Sequence, residues 1–380
     1  MEDPFRAKRY HQTRRILGLL SFLLDVSVLV FLLFTGLTVA LRATAESLAA
    51  SPPLALIVYI GIFGFITKAV GLPLDFARGY WLEWRYSLSN QTLTAWVKDQ
   101  VKGFLVGAVL AMVGVQCLYV TMRRWPDYWW MIAASVFVAF FVLMTNLAPV
   151  LIFPIFFKFR PLENPLLTQR LVELARRAGA NVQGVFEWKL SEKSKKANAA
   201  LVGLGNTRRI IVADTLLAHF NDDEVESVLA HELGHHVHRH ILRGLLLQST
   251  ATYLGFFLAD IVLRRFSDRF GFRSLSDFAN LPLLLLVATG LSLILLPVVN
   301  AHARAMERQA DAYALHAIPS ASAFSSGMEK LAELNLAERQ PPAWIEWLFH
   351  SHPSVEKRLA FARRFSATYN EPGEVMKPTS

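Results

Sequence analysis

A lone cysteine, Cys117, excludes an intramolecular disulfide and a thiolate metal cage, so any bound metal has to be held by His, Asp or Glu. Charge is also scarce. Only 18% of the 380 residues are Asp, Glu, Lys or Arg, against 53% hydrophobic, a balance unlike that of soluble domains. Internal repeats, low-complexity tracts and long linkers are missing, which removes solenoids and disordered arms from consideration. What remains is apolar sequence gathered into long blocks.

A helix that crosses a bilayer needs about 20 apolar residues. Six stretches meet that length with few or no charges: residues 16–41, 53–74, 103–122, 128–153, 241–263 and 281–300. The pattern predicts a polytopic membrane protein. A basic start precedes the first stretch and Ala43-Thr44-Ala45 resembles a signal cleavage site, but an apolar run of 26 residues exceeds a signal core of about 7 to 15. It reads as a retained first span. With the amino terminus cytoplasmic, 30 of the 39 lysines and arginines fall on the cytoplasmic side and 7 on the other, which satisfies the positive-inside bias. Arg264, Arg265, Arg269 and Arg273 run against it, in one outer loop. The net charge of +9 follows from basic cytoplasmic loops, and no nucleic-acid partner is expected. Asp25 and Asp260 fall inside spans and read as a polar lining of the interior rather than as catalysts.

The soluble mass is split. Between the fourth and fifth stretches, Leu167, Leu171, Val172, Leu174 and Ala175 mark one face of a helix. Residues 185–190, 198–202 and 209–213 are short β-branched or alternating runs, predicting a small three-stranded sheet. Asn221-Asp222-Asp223-Glu224 then supplies a capping side chain and acidic residues where a helix dipole favours them. Val225, Val228, Leu229 and Leu233 continue that helix through VLAHELGHHVHRH, residues 228–240.

His231 and His235 lie one turn apart on this helix and can offer two imidazole nitrogens to one ion. Glu232, about 100° around the axis, can reach a water beside that ion without ligating it. This is the HExxH arrangement of zinc hydrolases. Chance would produce it in about one or two chains per hundred of this composition, so the pattern needs its setting. Here it follows a capped turn, beside a sheet and at a membrane surface. A catalytic zinc takes three protein ligands, and the strongest third candidate is Glu307 in MERQADAYALH, on a helix prolonging the sixth span. Spans five and six form a hairpin that can return residue 307 towards 231 and 235. Asp311, one turn beyond Glu307, reads equally as a support for a ligand histidine or as an ordinary polar residue. His352, before Pro353, reads by itself as a helix start. His236, His238, His240 and His302 read as solvent or interface residues.

These residues resemble the type I CaaX prenyl endopeptidases, integral-membrane zinc proteases of the a-factor-converting type. HELGHH at 231–236 is similar to the family's HELGH box, and Glu307 with Ala310-Asp311 to its E-x-x-A-D segment. NAALVGLGNTRRIIVADTLL from Asn198 and HSHPSVEKRL from His350 are similar to its edge strand and its Ser-His-Pro segment. LEWRYSLSNQTLTAWVKDQVKG from Leu82 and LAPVLIFPIFFKFRPLE from Leu147 extend the likeness over roughly residues 55–365. Eukaryotic members carry a further amino-terminal span and a longer insertion before the HExxH helix; the compact chain, with His236 where they tend to have tryptophan, resembles a bacterial-type member.

The resemblance implies one Zn²⁺ held by His231, His235 and Glu307, with Glu232 as general base and later proton donor. It implies Asp311 and Arg358 as supports, His352 steadying the oxyanion, and Asn198 and Ala199 pairing with an extended substrate. The implied fold is mainly α: a polytopic membrane protein of about six transmembrane helices with a split, cytoplasmic, zincin-like protease domain holding the three-stranded sheet. Residues 1–153 would carry four spans with a cytoplasmic loop at 75–102, and 154–240 the sheet and HExxH helix. Residues 241–300 would form the transmembrane hairpin and 301–380 a helical part with the third ligand. The expected partners are membrane lipid and a peptide or protein substrate, prenylated or membrane-associated, cut near its carboxyl terminus. The expected setting is a bacterial inner membrane with both termini and the active site cytoplasmic. An HtpX-like quality-control protease is the alternative, and a non-catalytic metal-binding or transport protein a more distant one.

Overall fold

The computed structural model describes residues 5–203, 205–318 and 320–370. Its chain divides into two compact units. One is formed by Lys8–Phe156 and Leu242–Leu296 and is wholly helical apart from its connections. Among the described residues, six helices are long and apolar enough to cross a membrane: Arg6–Phe34, Pro52–Arg85, Leu93–Arg124, Trp129–Phe156, His240–Phe266 and Phe278–Ala317. The outward side chains fit that solvent. Phe65, Val109 and Ile294 are 68%, 61% and 72% exposed, an apolar surface that water would not tolerate at this extent.

The inside of this unit is packed around Leu56, Tyr59, Tyr119, Met122 and Trp129, all nearly inaccessible. Several of its buried polar side chains are paired with one another, as apolar surroundings favour. Tyr119 donates to Asn280 at 2.5 Å, and Arg42 pairs with Asp277. Asp260 is buried as well, accepting from the Trp129 indole at 2.5 Å and from Arg264 at 2.9 Å. One turn of helix places Arg264 over the carboxylate. Asp25 is exposed.

The other unit, formed by the remaining described residues, carries the sheet. Four strands run in the order β1-β2-β4-β3: β1 Phe159–Pro161, β2 Val185–Trp188, β3 Ala199–Val202 and β4 Arg209–Ala213. Three were expected from sequence. The added strand β1 is three residues long, ends in proline and has no alternation to reveal it. It exists through its antiparallel pairing with β2 and an Arg160–Glu187 ion pair at 2.8 Å. Strands β2 and β4 run parallel, and β3 lies antiparallel on β4 with Ala199 opposite Val212. That leaves β3 at the edge. Gly203 turns the chain out of β3 at φ +84°, where a Cβ would fall 2.5 Å from the carbonyl oxygen of Thr207, so only glycine fits.

The helix Pro165–Arg177 buries Leu167, Leu171, Leu174 and Ala175 against the sheet, the face that its spacing predicts. Asn221 opens the helix Asp222–Val237 with a reciprocal capping box: its side chain accepts from the Glu224 amide, and the Glu224 carboxylate accepts from its own amide. Val225, Leu229 and Leu233 point into the same core. His231, Glu232 and His235 follow in the carboxyl-terminal half of that helix.

Candidate metal centre

The helix Asp222–Val237 and the helix Leu281–Ala317 meet at two small residues. A Cβ on Gly234 would lie 2.8 Å from the Cα of Ala310, so the backbones touch. Each helix carries a pair of functional side chains four residues apart around its small residue, His231 and His235 on one, Glu307 and Asp311 on the other. Close approach therefore gathers all four.

His231 Nε2 lies 3.3 Å from His235 Nε2 and 3.3 Å from Glu307 Oε2. His235 Nε2 lies 3.4 Å from Glu307 Oε1. A tetrahedral ion about 2.0–2.1 Å from such donors requires them about 3.3 Å apart; the two imidazole nitrogens have that spacing, and each meets a different oxygen of the Glu307 carboxylate at a similar distance. The group is the candidate metal cluster among the described residues. Glu307 is buried, and its Oε2 has no hydrogen-bond partner. A buried carboxylate oxygen left over in this way needs a cation or a proton. The donors present fit a divalent metal.

The surroundings orient the donors. Asp311, almost fully buried, lies 2.8 Å from His231 Nδ1, which directs Nε2 to the cluster. Arg358 holds Asp311 with two hydrogen bonds of 2.8 and 2.5 Å. Burial works against charge on His231, but the facing carboxylates of Asp311 and Glu307 outweigh it and push its pKa up to about 9. The site thus favours positive charge at that point. Burial also raises the Glu232 carboxyl above its ordinary range, against the pull of both histidines, and a more basic carboxylate is a better proton acceptor.

His352 Nε2 reaches within 3.3 Å of Glu307 Oε1. Its loop is held by Arg304, a buried residue one turn before Glu307. The Arg304 guanidinium donates to the carbonyls of Glu346, Trp347 and His350 at 2.9, 3.1 and 2.6 Å, fastening the end of the short helix Ala343–Phe349. Asn198 and Ala199, at the start of the edge strand, line a cavity of about 180 Å³ together with Glu232, His352 and Arg358. Val228, Phe324, Met328 and Leu331 form its apolar wall. Asn335 closes one end of the strand edge: its side-chain oxygen accepts from the Ala197 amide at 2.9 Å and its nitrogen donates to the Ala197 carbonyl at 3.2 Å.

All nine residues singled out from sequence are thus placed in one region of this unit. The sequence reading missed Arg304, Asn335 and His240. His240 was expected at solvent or an interface, yet it is 3% exposed, because its ring packs on His235 with Nδ1 3.0 Å from Nδ1.

Comparison with known proteins gives the same picture. Residues 161–366 match the family model described as peptidase family M48, and residues 2–158 match one described as CAAX prenyl protease N-terminal, five membrane helices. The uncharacterized metalloprotease YhfN of Bacillus subtilis is 30% identical, over 94% of this chain and 85% of its own length. CAAX prenyl protease 1 of Saccharomyces cerevisiae is 28% identical, over 79% and 70%. The crystal structure of S. mikatae Ste24p shares the fold, with a TM-score of 0.84 at 22% identity, covering 94% of this chain and 88% of that one.

Proposed function

We propose, because this chain belongs to peptidase family M48, that it is a membrane-embedded endopeptidase using one zinc ion to cut lipidated or membrane-associated peptides near their carboxyl termini. The family makes it a metalloprotease and an integral, multi-pass membrane protein. To that we add zinc as the metal, a prenylated class of client, contact with membrane lipid and a bacterial inner membrane with the site on its cytoplasmic side. The observation that carries it is the triangle of His231, His235 and Glu307 donors at 3.3–3.4 Å, with Glu232 next to it on an intact helix.

His231, His235 and Glu307 would hold the zinc ion, which would supply Lewis acidity to the scissile carbonyl and the attacking water. Glu232 accepts the proton of that water at its carboxylate and returns it to the leaving amine. Asn198 and Ala199 offer the unpaired side of β3 to an extended substrate, aligning the bond to be cut. His352 donates its Nε2–H to the carbonyl oxygen as charge develops there. Asp311, locked by Arg358, keeps His231 in the tautomer that leaves Nε2 bare.

The test is cleavage of a defined farnesylated CaaX peptide and its unlipidated twin by the purified protein, with products mapped by mass spectrometry. Faster cleavage of the lipidated peptide, abolished in Glu232→Gln, is expected. Equal rates would move the client to unmodified membrane proteins, the quality-control reading. No cleavage of any peptide by zinc-loaded wild type would end the proposal.

A further inference from the structure

We propose that His240, backed by Gln309, is a positioning residue that fixes His235 as an Nε2 ligand. The inference rests on the reading of this site as a zinc centre. Asp311 does this work for His231, and among the described residues nothing acidic is found at Nδ1 of His235. The neighbour that His235 has instead is an imidazole.

The chain is bent to bring it there. The helix Asp222–Val237 ends at His238, whose amide donates to Gly234 at 3.1 Å, and the Arg239 amide donates to His236 at 3.0 Å. Arg239 sits at φ +55°, a left-handed conformation that a side-chain-bearing residue disfavours because its Cβ crowds the following carbonyl oxygen. Glycine is the usual occupant of such a helix end. The next helix starts at His240, so this one strained residue turns the chain and lays the His240 ring against His235, with centroids 5.0 Å apart.

Hydrogen-bond chemistry then sets every proton. His235 Nε2 faces His231 and Glu307 and must be bare to bind a cation, so its Nδ1 carries the hydrogen. That N–H donates to His240 Nδ1 at 3.0 Å. His240, accepting there, carries its own hydrogen on Nε2 and donates it to Gln309 Oε1 at 2.9 Å. An amide oxygen can only accept, so the chain runs in one direction. Gln309 stands two residues beyond Glu307 on the same helix. One helix thereby supplies the third ligand and the end of the relay. The neutral partner also has an electrostatic reason: Glu232, Glu307 and Asp311 already crowd three carboxylates around the site, and a fourth would raise their mutual repulsion.

The test measures zinc affinity by chelator competition on the full chain in detergent, together with thermal stability of the metal-stripped protein. His240→Leu fills the same space without a polar atom. It is expected to weaken zinc binding by about 10- to 100-fold with the stripped protein as stable as wild type. His240→Gln can accept and donate through its two amide ends, and is expected to restore binding to near wild type. Wild-type affinity in His240→Leu, or an equal loss in His240→Leu and His240→Gln, overturns the proposal. If His240→Leu does not fold, Gln309→Met on the exposed side of its helix gives the reading. Weakened zinc binding supports the relay, and unchanged binding overturns it. Wild type that takes up no zinc, or whose zinc survives His231→Ala, overturns the zinc centre itself, an outcome distinct from a dispensable His240.

Discussion

Gly234 and Ala310 meet backbone to backbone, the space for a Cβ on the glycine being filled by the Cα of Ala310 at 2.8 Å and its carbonyl oxygen at 3.0 Å. The helix pair that carries the proposed metal ligands is therefore closer than any side chain would allow. Gly234 in the HELGH box is a spacing requirement between two helices, rather than a source of flexibility.

Gly234→Ala is expected to destabilise the protein by about 1–3 kcal/mol, the usual cost of overpacking, and to lower zinc affinity by separating Glu307 from the histidines. A second substitution, Ala310→Gly, removes only the contact at 3.2 Å with the Ala310 Cβ and should not rescue it. Thermal melts and metal content of both variants decide the matter; full rescue would contradict the backbone contact.

Glu232→Gln keeps the shape of the side chain but not its basicity. Zinc content should stay at one ion per chain while turnover falls by about 10²–10⁴-fold. Loss of zinc in this variant would instead assign Glu232 to the ligand set.

Asp311 and Arg358 can be separated by their different duties. Arg358→Leu leaves a buried carboxylate short of its main partner and should cost about 3–5 kcal/mol. Replacing both residues by leucine should recover part of that stability, yet leave zinc affinity about 10- to 100-fold down, because His231 still lacks its anchor. Recovery of both quantities together would argue against an orienting role for Asp311.

Arg304→Met should leave zinc bound, since Glu307 stays on the same helix, while freeing the loop that ends at His352. The expected signature is a drop in kcat larger than any change in KM. An unchanged kcat would remove His352 from the transition state.

The capping box gives a pH-dependent prediction. Burial raises the Glu224 carboxyl, but Lys330 at 2.6 Å, the Asn221 amide and Ser326 outweigh it and hold its pKa below the ordinary range. A depressed carboxylate stabilises the fold above its unfolded pKa, and the contribution is lost as pH falls through the folded one. Lys330→Met should therefore destabilise at neutral pH and lose its effect in acid. Asn221→Ala should cost about 1 kcal/mol. Denaturation curves across pH check both; an effect of Lys330→Met that grows on acidification would refute the sign.

The spans, the HExxH helix and its cap were legible because each is periodic or local: a run of apolar residues, an i, i+4 pair, an Asn three residues before a Glu. Glu307 was legible through topology, since a membrane hairpin returns the chain to the side it left. Arg304, Asn335 and Gln309 were not. Each acts through hydrogen bonds to residues between 42 and 138 positions away, and pairings so distant leave no period in a sequence. Strand β1 was missed for the same reason, being defined by its neighbour instead of by its own three residues.

The amide that Asn335 lays against Ala197 has a meaning for the molecule outside any reaction. An uncovered sheet margin is where identical chains stack on one another, and here that margin is four residues long, turned away by Gly203 at one end and plugged by a side chain at the other. So short a landing strip gives a second copy too few rungs to grip, which lets the protein keep an adhesive edge in a crowded membrane without clumping.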